Sequence, residues 1–95
     1  MTVKVFKMIN GEEIISAVES ETETLYVLDQ PAAIRLQKTD SGVGIGLAPF
    51  MPYAEGTVVL HASGVAAVGN PEPNLENEYR RLFGSGIEIV SAMPR

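Results

Sequence analysis

The chain has 95 residues, of which 45% are hydrophobic and 20% charged, with a formal net charge of -5 and a pI near 4.7. That length holds one domain with a modest core, and the composition is that of a folded globule rather than a disordered tail. The acidic balance argues against gripping duplex nucleic acid by phosphate neutralisation, and the lack of cysteine excludes disulfides, thiol catalysis and cysteine-held metal.

Residues 3–19, VKVFKMINGEEIISAVE, read as a hairpin around Asn10-Gly11, the dipeptide that best tolerates the positive φ of a type I′ turn. A turn of that type sets Phe6 opposite Ile15 and Val3 opposite Val18. Each strand then carries apolar side chains on both faces, Phe6 and Met8 on one, Val3, Val5 and Ile9 on the other. A hairpin with one wet face alternates more cleanly, so this one expects a barrel interior on one side and a helix or another subunit on the other.

The segment 20–24 is polar and reads as a loop, followed by strand composition at 25–29 and again at 32–37. Gln30-Pro31 breaks or bulges that run, because proline has no N–H to give a ladder. A turn at 38–42 leads into residues 43–53, VGIGLAPFMPY. There Gly42, Gly44 and Gly46 alternate with Val43, Ile45 and Leu47. The pattern lacks the third glycine of a phosphate loop and opens no helix, so it reads as a strand with one bare face. Phe50-Met51-Pro52-Tyr53 reads as core or subunit contact before it reads as a base-stacking platform.

Glu55-Gly56 marks a turn, and two short strands at 57–60 and 65–68 are joined by His61-Ala62-Ser63-Gly64. A helix is expected over about residues 71–84, capped by Asn70, with Pro71 in its first turn and Leu75, Tyr79, Leu82 and Phe83 as its apolar stripe. Glu76 and Arg80 stand in the favourable order and Gly84 supplies the stop. A short terminal strand is expected over 87–92. The whole reads as one domain, with a barrel over about 3–69.

Catalysis is not expected. The single histidine, His61, has no nucleophile motif near it, and the carboxylates Glu12, Glu13, Glu21 and Glu23 lie in polar sequence that leaves them solvated. No spacing of His, Asp and Glu suggests a metal site, and no cofactor is implied. The N-terminus lacks a basic stretch followed by an apolar core, and no apolar run reaches spanning length. The expectation is a cytoplasmic chain without membrane contact.

The order of elements, from MINGEEIISAV at the hairpin to VLHASGVAAV at residues 59–68, resembles the Sm/LSm/Hfq family. The resemblance covers roughly residues 3–68 at the level of pattern. It implies a mainly β fold, a small SH3-like, Sm-like bent five-stranded barrel, here with one C-terminal helix. In that family the second motif carries a basic turn residue, and His61 stands at its place, followed by Ala62 where the family has glycine, and by Ser63. Thr22 and Tyr26 occupy the positions of the family's RNA-contacting Asp and Asn, and Ser16 stands where the first motif has its second glycine. The chain as a whole, through GEEI, APFMPYAEG and FGSGI, is similar to small proteins of marine cyanobacterial phages. The resemblance implies a closed homo-oligomeric ring of roughly five to seven copies. It implies non-catalytic binding of single-stranded RNA, or DNA with less preference, in a phage-infected cell, with Thr22, Tyr26, His61, Ala62 and Ser63 at the contact. The rival expectation is a structural or assembly protein of the virion, which the acidic pI favours.

Overall fold

A computed structural model describes residues 1–83. The expected terminal strand at 87–92 and the Gly84 stop lie outside the described residues. Six antiparallel strands and one C-terminal helix make a small, bent, barrel-like β fold. The strands are β1 (Thr2–Met8), β2 (Glu13–Glu21), β3 (Leu25–Thr39), β4 (Gly42–Pro49), β5 (Val58–His61) and β6 (Val65–Gly69), and the helix α1 spans Pro73–Phe83.

The β1–β2 hairpin forms where the sequence places it, with a different turn. Gly11 N–H donates to the Met8 carbonyl at 2.9 Å and Met8 N–H to the Glu12 carbonyl at 2.7 Å, and Gly11 has φ 93° while Asn10 is not at positive φ. This is a three-residue connection, a type I turn closed by a glycine bulge, rather than type I′. Asn10 contributes its side chain instead, its Oδ1 accepting from Glu12 N–H at 2.9 Å. The longer loop moves the register by one, so Phe6 faces Ile14 and Val3 faces Ala17.

The Gln30-Pro31 step does not end a strand. β3 runs through it with Gln30 at φ 57°, and at this point it changes neighbours. Leu25 to Leu28 pair with β5, and Ala32 to Thr39 pair with β4. Proline, which has no N–H to offer, occupies the changeover, and its carbonyl accepts from Phe50 N–H at 2.9 Å. The two expected strands are therefore one long bent strand. Five strands, in the order β5-β3-β2-β1-β6, wrap the interior, and β5 is joined to β6 through a 3-10 turn at Ala62–Gly64. β4 is the sixth strand, an arm paired to the outer half of β3.

Both faces of the hairpin are covered, as its apolar pattern requires. Inside, Phe6, Ile14, Val18, Leu28 and Leu60 form the barrel core, with Met8, Tyr26, Phe50 and Val65 packed on it. Outside, Val3, Ile15 and Ala32 meet Tyr79 of α1, flanked by Leu75 and Phe83. The helix opens two residues later than the sequence suggests. Glu72 rather than Asn70 caps it, its Oε1 accepting from Asn74 N–H at 2.7 Å, and Asn70 accepts from Lys4 Nζ at 3.0 Å. Pro73 rather than Pro71 takes the first helical position. Among the described residues no helix is long and apolar enough to cross a membrane.

Candidate nucleic-acid interface

Three chain reversals meet at one end of the barrel. The β2–β3 connection is a hydroxyl-closed turn. Thr22 N–H donates to the Leu25 carbonyl at 2.8 Å, while Thr22 Oγ1 accepts from Thr24 N–H and Leu25 N–H, each at 3.2 Å. Ala62 N–H then donates to the Thr24 carbonyl at 2.8 Å, tying the 3-10 turn to this loop. On its other side the Gly64 carbonyl accepts from Ile9 N–H at 3.0 Å, which ties it to the β1–β2 hairpin. The 3-10 turn is thus held by backbone bonds at both ends, which fixes its side chains relative to two neighbouring loops.

His61 lies at the end of β5 in extended conformation, φ -79° and ψ 132°, opposite Leu25, and its side chain is exposed and caps nothing. Ser63 and Thr22 are exposed and Ala62 half-buried. The structure therefore gathers Thr22, His61, Ala62 and Ser63 at one end of the barrel and adds Thr24, which the sequence reading passed over. The signal for it was present, since Thr-x-Thr in a polar loop between strands is a hydroxyl-turn pattern.

Tyr26 is not brought to that group. It stands opposite Leu60, whose side chain is in the core, and its ring meets Phe6 edge-on with centroids 5.0 Å apart and planes at 73°. Strand alternation explains the difference, because Leu60 and His61 are neighbours in β5 and point to opposite faces. The ring of Tyr26 turns inward with Leu60, so this geometry does not present it beside His61 as the nucleic-acid contact that the resemblance implies. The aromatic run behaves in two ways. Phe50 packs on the barrel core, while Tyr53 is fully exposed in the β4–β5 connection.

The charge around the turns is acidic. Glu19, Glu21 and Glu23 are exposed on or beside the β2–β3 connection. A groove of about 710 Å³ lies elsewhere, between the hairpin tip and the arm, lined among others by Lys7, Glu12, Glu13, Arg35, Leu36 and Ile45. Both of its cations are partnered, Lys7 with Glu13 at 3.1 Å and Arg35 with Glu12 at 3.8 Å. It offers an anion little free charge. Among the described residues no three His, Asp or Glu side chains gather as a metal-binding group. No protein-family model and no curated protein matches the chain.

Proposed function

We propose that the chain is a non-catalytic, Sm-like module that closes into a homo-oligomeric ring and binds single-stranded nucleic acid, RNA in preference to DNA, in the cytoplasm of a phage-infected cell. One arrangement carries the reading. β5 and β6 each have a single strand partner among the described residues, and they flank the turn that follows His61. Neither strand carries a Lys, Arg, Asp or Glu, so neither has the charges that protect a free sheet edge. Pairing β5 of one copy with β6 of the next would close a ring and repeat the His61, Ser63 and Thr22 group about its axis. A ring of exposed imidazoles, hydroxyls and turn backbones suits unpaired bases and a few phosphates. It does not suit a duplex, which calls for many cations.

The exposed carboxylates of Glu19, Glu21 and Glu23 favour a second reading, a structural or assembly protein with the same ring and no nucleic acid. Fluorescence anisotropy with labelled single-stranded RNA and DNA oligonucleotides, beside the absorbance ratio of the freshly purified protein, separates the two. The expected result is RNA binding that weakens in His61→Ala, with the oligomeric mass by light scattering unchanged. Because few phosphates are neutralised per chain, the salt dependence is expected to be shallow. A parent protein that binds no oligonucleotide transfers the assignment to the assembly reading. A monomer mass near 10.2 kDa overturns the ring.

A further inference from the structure

β4 is an eight-residue strand, GVGIGLAP, at the outer edge of the sheet, with β3 as its partner among the described residues. It has none of the features that usually keep an edge strand from pairing again. It contains no charged residue, its one proline is its last residue, and its register with β3 runs from Thr39↔Gly42 to Ala32↔Pro49 without a bulge. One face of the β3–β4 arm is apolar and open to solvent, with Leu36 77%, Val43 70% and Ile45 56% exposed. At the base of the arm Ile34 and Leu47 join the cluster under α1, so the exposed stripe continues a core already formed. On the opposite face β4 presents Gly42, Gly44 and Gly46, and the side chains of Gln37 and Thr39 from β3 lie over Gly46 and Gly44.

The strand is also nearly its own complement. Read outward from Ile45, glycine faces glycine (Gly44 and Gly46), a branched apolar residue faces another (Val43 and Leu47), and a small residue faces a small one (Gly42 and Ala48). We infer that β4 pairs antiparallel with β4 of a second copy across a two-fold axis at Ile45, joining two arms into one continuous sheet. An isologous contact requires self-complementarity about a point, and this strand has it. The pairing keeps every apolar side chain on one face, since residues facing each other across the axis differ by an even number of positions. The central row then reads Leu36, Ile45, Ile45 of the second copy and Leu36 of the second copy. The rows beside it run Lys38, Val43, then Leu47 and Ile34 of the second copy. Lys38 closes the stripe at each rim, where its ammonium stays in water. This contact is separate from the ring edges on β5 and β6 and does not depend on nucleic-acid binding.

Light scattering tests it on the full chain. Ile45→Lys puts two ammonium groups against each other on the axis, and since Ile45 is exposed the barrel is expected to keep its circular dichroism spectrum. The expected mass is half that of the parent, whatever the number of copies in a ring. Ile45→Glu is expected to behave alike, and an equimolar mixture of the two variants to regain the parent mass. The chain has no cysteine, so single thiols report the register directly. Ile45→Cys is expected to cross-link between copies with a short bis-maleimide. Val43→Cys is not, because in this register the two positions 43 stand four residues apart, roughly 13 Å at the rise of a β-strand. An unchanged mass in Ile45→Lys, a mixture that fails to reassociate, or equal cross-linking at both positions overturns the proposal. Loss of oligonucleotide binding alone leaves it standing and bears on the ring reading instead.

Discussion

Tyr79 is the side chain that joins helix to barrel. It is 2% exposed, and its hydroxyl accepts from Ala17 N–H at 3.0 Å and donates toward the carbonyls of Asp29 at 2.9 Å and Gln30 at 2.7 Å. These backbone groups belong to the irregular step between β2 and β3, where the register shifts between Ile15 and Ala17 and the ladder leaves polar atoms unpaired. Ser16 serves the same step from within the chain. It is fully buried, and its Oγ donates toward the carbonyls of Ala17 at 2.9 Å and Asp29 at 3.1 Å. Tyr79→Phe keeps the packing against Val3, Ile15 and Ala32 but leaves the Ala17 N–H without its partner. The expected loss is about 1–3 kcal/mol, read as a lower urea midpoint at constant slope. Burial, the largest influence on Tyr79, raises its pKa above the ordinary tyrosine value of 10.0. The folded state therefore holds the phenol proton more tightly than the unfolded one. The linked stability is fully present below pH 10.0 and is lost as pH rises from there through the higher folded-state value. Urea midpoints measured from neutral to strongly alkaline pH are expected to fall less steeply in Tyr79→Phe than in the parent.

The elements show which local signals survive assembly. The hairpin was legible because Asn10-Gly11 sits between two apolar runs, but a turn with two positive φ angles and one with a single positive φ share that dipeptide. The three-residue form prevails here, and Gly11 alone takes φ 93°. A Cβ at Gly11 would have no atom within 4 Å, so Gly11→Ala is a clean measure of backbone strain. The expected cost is about 1–2 kcal/mol by thermal or urea unfolding, with native circular dichroism retained. Gln30-Pro31 signalled an interruption, yet composition alone does not separate a strand end from a bulge. What decides is that β3 finds a different partner on each side of the step, β5 before it and β4 after it. At α1 two prolines competed for the first helical position, and Pro73 holds it because Glu72 reaches back to Asn74 N–H. The candidate site was legible in part. The resemblance sets His61 and Ser63 at the short link between two apolar strands, and the structure keeps them there beside Thr22, whereas the inward turn of Tyr26 depends on strand parity after a register shift between Val18 and Ser20. No residue-level pattern announces such a shift.

For the whole molecule, the arrangement of unpaired edges is what the proposed assembly rests on. Among the described residues β4, β5 and β6 each pair on one side only, and none of them carries a Lys, Arg, Asp or Glu. A net charge of -5 keeps copies apart at long range, but salt near physiological strength screens that repulsion beyond about 8 Å. On the assembly proposed above, short-range strand pairing outweighs it, with two expected geometries. β5 with β6 is heterologous and closes by rotation, whereas β4 with β4 is isologous and only doubles what it joins. The two are separable by mutation because they lie on different edges. Val68 is 42% exposed on β6, opposite Phe6 at the open margin of the barrel core, so a lysine there keeps its ammonium in water and Val68→Lys charges that edge at little cost to the fold. Its expected product is a two-fold dimer held through β4. Val68→Lys combined with Ile45→Lys is expected to be a monomer near 10.2 kDa. Light scattering across micromolar concentrations reads all of these masses. A double variant that keeps the parent mass would place assembly on a surface other than these two edges.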